Sequence, residues 1–141
     1  MARYTPRDGD PVLPLFSLKG KTAIVSGGGV GIGYAVAECF AEAGADVIIW
    51  YNTNAKAHEA AESIANKWGV RCEAFKVDVM DQPSVEKAVE EQVGLFGGRL
   101  DIFVANAGIL WTKGAILDSG NEGVSLFSFN LFLFFPFLPL L

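Results

Sequence analysis

Four short apolar runs, each of the first three followed by a segment of helical length, divide residues 21–108 and leave few folds open. KTAIVS, DVIIWY, VRCEAFKVDV and LDIFVANAG are too short to be helices and too apolar to be exposed, as expected of strands buried on both faces. Between the first two, Ile32, Ala35, Val36, Cys39, Phe40 and Ala43 recur at helical spacing, and Gly44 supplies a stop. A second stripe runs through Ala57, Ala60, Ala61, Ile64, Ala65 and Trp68 and ends at Gly69, with Asn52, Thr53 and Asn54 able to cap it. The third helical segment, DQPSVEKAVEEQVGLFGG, has Asp81 and Pro83 at its entrance, an inner stripe of Val85, Ala88, Val89 and Val93, and a glycine pair beyond its end. Strands alternating with helices of this length imply a parallel sheet with right-handed crossovers.

That order, β-α-β-α-β-α-β, is somewhat more than one half of a doubly wound sheet with strand order 3-2-1-4-5-6. The expected fold is therefore α/β, a truncated Rossmann-type doubly wound parallel sheet with strands one to four only. An arm precedes it at residues 1–20, and an apolar C-terminal tail follows at 124–141.

The first strand-to-helix turn reads SGGGVGIG. Gly27, Gly31 and Gly33 follow a strand and open a helix, with Gly29 between them and Ile32 in the first helical turn. Glycine at such places permits a tight turn, a close approach to pyrophosphate, and close packing of helix on sheet. The helix N-terminus adds free N–H groups and a dipole that favour phosphate. A glycine-rich turn that binds nothing is the alternative; the strand before and the helix after favour a dinucleotide.

An NAD-selective site places an acid about 20 residues past the glycines to hold the ribose hydroxyls. Here that place holds Trp50-Tyr51-Asn52-Thr53-Asn54. Nothing in it repels a 2′-phosphate, Asn52 and Thr53 can donate hydrogen bonds, and Lys56 adds charge, so NADP is the expected cofactor. Asn54 is read equally well as a turn or cap residue. Asp78, with Val79 after it, closes the third strand where adenine is expected; a solvent-facing aspartate is the alternative. Asn106, Ala107 and Gly108 end the fourth strand beside the switch point, where an Asn side chain can bridge neighbouring strands and steady the cleft.

A net charge of −5 without a basic stripe argues against nucleic acid and anionic membranes as partners. Cys39 and Cys72 lie in apolar patterns and read as buried thiols in a reducing compartment rather than a disulfide pair. One histidine, His58, and no Cys/His cluster argue against zinc. The polar, proline-punctuated start reads as a loose arm without the apolar core of a signal peptide, which points to a cytoplasmic protein.

These motifs together resemble the short-chain dehydrogenase/reductase family. SGGGVGIG stands for its TGxxxGxG motif, with Ser26 in place of Thr; VDV carries Asp78; ANAG stands for NNAG, with Ala105 in place of the first Asn. The wording SLKGKTAIVSGGG, VIIWYN and DIFVANAGILWTKG resembles that family's fungal NADP-dependent mannitol 2-dehydrogenase and sorbose reductase branch, over roughly residues 15–123. The resemblance implies hydride transfer between NADP(H) and a polyol/ketose pair. It also implies a Tyr acid/base whose pKa is lowered by a Lys four residues later, a Ser that orients the carbonyl, and an Asn in a proton relay. No catalytic residue of that kind is found in this chain. Tyr4, Tyr34 and Tyr51 are followed four residues on by Asp8, Glu38 and Ala55. The chain is therefore expected to hold binding residues without catalysing, and the family's tetramer is not expected.

From Val124 to Leu141, every residue except Val124 and Asn130 is Phe, Leu, Ser or Pro, the four amino acids that all-pyrimidine codons specify. Val124-Ser125 is also what GTR-AGY, the usual opening of an intron, encodes. Residues 124–141 are accordingly read as translated intron, with an interaction arm and a membrane anchor as alternatives. Pro136 and Pro139 disfavour the anchor. Ending the sheet there would leave LDIFVANA as a hydrophobic edge and the fragment marginally stable.

Overall fold

A computed structural model describes residues 13–108. In it β1 (Thr22–Ser26), β2 (Asp46–Tyr51), β3 (Cys72–Lys76) and β4 (Ile102–Val104) form one parallel sheet in the order β3-β2-β1-β4. The helices α1 (Gly31–Glu42), α2 (Ala57–Trp68) and α3 (Gln82–Leu95) supply the crossovers. The central strands carry the apolar load: every residue of β1 is buried, and so are the four inner residues of β2. One layer packs Val25, Val47 and Ile49 against Ala37, Ala41, Ala61 and Ile64 of α1 and α2. The other packs Ile24, Ile48 and Trp50 against Ala88 and Phe96 on the α3 side. Both faces of the sheet are thus covered, as continuous apolar strands require.

Glycines end the elements as the sequence implies. Gly44, Gly69, Gly97 and Gly98 all have positive φ, and Gly69 closes α2 in the left-handed conformation. Helix α1 departs from expectation. Its buried residues are Gly33, Ala37 and Ala41, whereas Ile32 is 79 % exposed and Cys39 is also exposed. Small side chains take the inner face, where helix and strands approach closely, and the larger Tyr34, Val36 and Phe40 pack at its edges. Cys39 is therefore not the buried thiol expected. Cys72 is buried; burial, with Glu73 adding to it, pushes its thiol up to about 12. In α3 the expected valines pack at the edge of the core, and the unexpected Gln92 is buried with Nε1 of Trp50 donating to its Oε1 at 2.6 Å.

The stretch expected as a loose arm attaches by its end. Leu13–Phe16 form a 3-10 turn, Leu18 packs on the core, and its N–H donates to the Ala43 carbonyl at 2.7 Å. At the N-terminal edge of the strands, Asp101 gathers the Thr22 N–H (3.1 Å), Lys21 Nζ (3.1 Å) and the Arg99 guanidinium. No helix among the described residues is long and apolar enough to cross a membrane, and none of their acid, His and Cys clusters could hold a metal ion.

Two predictions follow from this packing. Burial opposes ionisation of Asp101, but the bonds from Arg99, Thr22 and Lys21 outweigh it and hold its carboxyl below the usual carboxylate range. A depressed folded-state pKa contributes stability that is full above the unfolded value of about 3.9 and fades as pH falls through the folded one. Asp101→Ala should therefore cost about 1–3 kcal/mol at pH 7, because the Thr22 N–H loses its partner. In urea unfolding, that gap from wild type should narrow below about pH 4; a gap independent of pH would refute the assignment. Secondly, a thiol reagent should label Cys39 in the native protein and reach Cys72 only on unfolding, with the protection lost in denaturant as the check.

Candidate functional site

The C-terminal ends of the strands converge on a cleft of about 410 Å³. Its floor is a hydrogen-bonded junction of three strands. Ser26 Oγ donates to the Val104 carbonyl (3.1 Å) and accepts from the N–H groups of Asn106 (2.9 Å) and Ala107 (3.0 Å). One donor and two acceptors are thereby used, the full capacity of a hydroxyl. Asn106 answers from β4, its Nδ2 donating to the carbonyls of Ser26 (3.1 Å) and Gly27 (3.3 Å). The Gly27 N–H donates in turn to the Trp50 carbonyl at 2.8 Å, so the glycine turn is tied to β2 as well.

Each glycine in the turn serves a different need. A Cβ on Gly33 would lie 2.3 Å from the Gly27 carbonyl oxygen and 2.5 Å from Asn106 Nδ2, so Gly33 lets α1 sit under the junction. A Cβ on Gly29 would lie 2.7 Å from that of Ala57, which makes Gly29 the contact point for α2. Gly31 differs: its φ is +58°, and a Cβ there would meet nothing within 4 Å. It opens α1, whose N-cap Val30 offers no side-chain cap. N–H groups left free at a helix N-terminus make a cradle for an anion such as phosphate, and Ile32 and Gly33 of this first turn line the cleft.

The cleft brings together Gly27, Gly29, Ile32 and Gly33 from the turn, Asn52 and Thr53 past β2, Val79 past β3, and Asn106, Ala107 and Gly108 past β4. Gly31 and Asp78 are not among its lining residues. Asp78 is exposed, and its Oδ1 accepts from the Met80 N–H at 3.0 Å, closing a local turn. Asn54 does line the cleft, yet its Oδ1 accepts from the Lys56 N–H at 3.2 Å just before α2. Trp50, Tyr51 and Val77 were not picked as site residues from sequence; apolar strand ends look like core, and Trp50 is indeed only 1 % exposed. Residues 109–141, including the tail, lie outside the described residues.

A parallel sheet with a glycine turn at the head of α1 and a cleft at the strand ends defines the class: the first half of a doubly wound nucleotide-binding domain. The chain belongs to the short chain dehydrogenase family, whose model matches residues 21–136 and so runs past Gly123. It is 60 % identical over 111 residues to the L-xylulose reductase of Hypocrea jecorina, covering 79 % of this chain and 38 % of that protein. Sorbose reductase SOU1 of Candida albicans is 53 % identical over 107 residues (76 % and 37 %), and the NADP-dependent mannitol dehydrogenase of Alternaria alternata 44 % over 111 residues (77 % and 41 %). Among solved structures, L-sorbose reductase from Gluconobacter frateurii, complexed with NADPH and L-sorbose, superposes with a TM-score of 0.65 at 37 % identity, covering 76 % of this chain and 40 % of that one. The chain thus spans about two fifths of the length of these relatives.

The glycine geometry makes a paired prediction. Gly33→Ala should unsettle both fold and site, because the clash is with backbone. Gly31→Ala meets no atoms and should cost only about 1–2 kcal/mol for its left-handed backbone. It should nevertheless weaken nucleotide binding at least as much as it weakens the fold. Thermal unfolding and nucleotide titration of the two variants separate these effects; normal binding by Gly31→Ala would refute the cradle.

Proposed function

We propose that this chain forms the adenosine-and-phosphate half of an NADP(H) site, in a lineage of reductases acting on polyol/ketose pairs of the mannitol–fructose or sorbose type. The observation that carries the cofactor is the end of β2. Asn52 and Thr53 line the cleft there, with no carboxylate among residues 50–54 and with Lys56 close by in sequence. An acid at that place would hold a ribose diol and repel a 2′-phosphate. The cradle at the start of α1 suits a pyrophosphate, and the Ser26–Asn106 junction holds the turn that presents it. The named activities of the relatives support the substrate class.

When bound, the nicotinamide would supply or accept the hydride; the described residues bind and orient. Asp78 and Val79 are assigned to the adenine side, and Asn106, Ala107 and Gly108 to the floor that the cofactor crosses. The sequence has no Tyr-x-x-x-Lys pair to move the proton. A product of these 141 residues alone is accordingly proposed to bind NADPH weakly and not to turn over, with the reaction residing in a longer product. Residues 124–141 as translated intron, a cytoplasmic location and the absence of a family-type tetramer belong to the same reading. A second reading, a binder without chemistry, shares the same cleft.

Purified 141-residue protein mixed with NADPH and fructose, sorbose or xylulose should leave NADPH absorbance unchanged, while coenzyme fluorescence reports saturable binding. Sustained NADPH oxidation would overturn the inactivity, and tighter binding of NADH than NADPH would overturn the cofactor.

A further inference from the structure

Asn52 and Thr53 make no side-chain hydrogen bond among the described residues, so nothing on their own side chains fixes where they point. Their loop is fixed at its two ends instead. On the β2 side, Tyr51 is held through its carbonyl, which accepts from the Val77 N–H at 2.9 Å. Its half-buried ring packs against the α1–α2 layer of the core. Its hydroxyl then reaches across the loop to His58 in the first turn of α2, 2.8 Å from Nε2, where either group donates according to the imidazole tautomer. The two rings also meet edge to face, with centroids 5.2 Å apart at 75°. Between these posts, Asn54 Oδ1 takes the Lys56 N–H, and the Asn54 carbonyl takes that of Ala57 at 3.2 Å.

We propose that Tyr51 and His58 are positioning residues for coenzyme selectivity: their hydrogen bond clamps the 52–56 loop so that Asn52 and Thr53 meet the 2′-phosphate of NADP(H). The inference rests on the NADP(H) reading above. Tyr51 lines the cleft and His58 does not, so His58 acts only through Tyr51 and the start of α2. Loss of the clamp frees a short loop, and re-ordering it on binding weakens recognition of the group that the loop alone contacts. Recognition of the 5′-phosphate, which is assigned to the glycine turn, is left alone.

Two ligands that fit the described half-site separate these effects: adenosine 2′,5′-bisphosphate carries the 2′-phosphate, and 5′-AMP lacks it. Calorimetric titration of wild type, Tyr51→Phe, His58→Phe and the double variant should show affinity for the bisphosphate falling about tenfold in each single variant, as expected for one lost hydrogen bond. 5′-AMP should bind within about twofold of wild type throughout, and the double variant should lose little more than either single one. His58→Gln, which restores a hydrogen-bonding group, should recover part of the loss. Equal losses for both ligands, or an unchanged ratio between them, would mean that the pair is merely structural and would sink the inference. A wild-type protein that binds the two ligands equally would instead refute the NADP(H) reading.

Discussion

The cleft depends on one hydroxyl. Ser26 Oγ donates once and accepts twice, and the groups it satisfies lie at and just past the end of β4, two strands away in the sheet from the loop that follows β2. Its site is buried, so each of those backbone groups would otherwise bear the cost of an unpaired donor or acceptor. The hydroxyl is what the junction uses, which is why Ser can stand where relatives of the motif carry Thr: no contact in the junction calls for the extra methyl. Asn106 completes the tie from the opposite side by donating to two successive carbonyls. Ala105, where the motif has another Asn, takes no part in these bonds.

With the turn tied in this way, the space for α1 is small, and the inner face of the helix is chosen by size. Gly33, Ala37 and Ala41 are spaced four apart and form one buried row. Periodicity of apolar residues points to Ile32, Ala35, Val36, Cys39, Phe40 and Ala43; of these Val36 and Phe40 pack at the edge of the core, while Ile32 and Cys39 are exposed. A hydrophobic stripe is a good guide where a helix rests on a layer of large side chains, as α2 does with Ile64. It fails where backbone approaches backbone, because the residues that allow such an approach bury little area. A similar close approach explains Gly29, which lines the cleft and also lets the turn meet Ala57 of α2.

The strands, their order and the glycine stops were legible because each depends on local pattern: continuous apolar runs for β1 and β2, positive φ for Gly69 and Gly97. The ties between elements were not. Gln92 lies four residues past Ala88 on the inner stripe, but its polarity reads as surface; only the fold brings it within 2.6 Å of the Trp50 indole. Tyr51 and His58 are seven residues apart across a strand end and a helix start, a separation with no periodic signature. Asp78 was legible as a strand-end acid, but its turn with Met80 is set by local backbone geometry. For the site, then, glycines and strand ends could be read from sequence, whereas the side chains that hold the loops had to be seen in space.

The division of labour in the chain follows from the same geometry. Every group proposed for phosphate and adenosine is a backbone N–H, a glycine conformation or a loop side chain within residues 27–108, and the turns and loops that carry them are tied by bonds made within residues 26–108. Binding of this kind needs pre-organised donors and open space, both of which a four-stranded sheet can supply. Proton transfer needs more: a titratable group within hydrogen-bond reach of the reacting carbonyl, with its pKa set by a neighbour. Tyr34 and Tyr51 are the tyrosines of the described span; neither has a lysine four residues on, and Tyr51 is already committed to His58. The hydroxyl of the tyrosine that lines the cleft is thus engaged across the 52–56 loop.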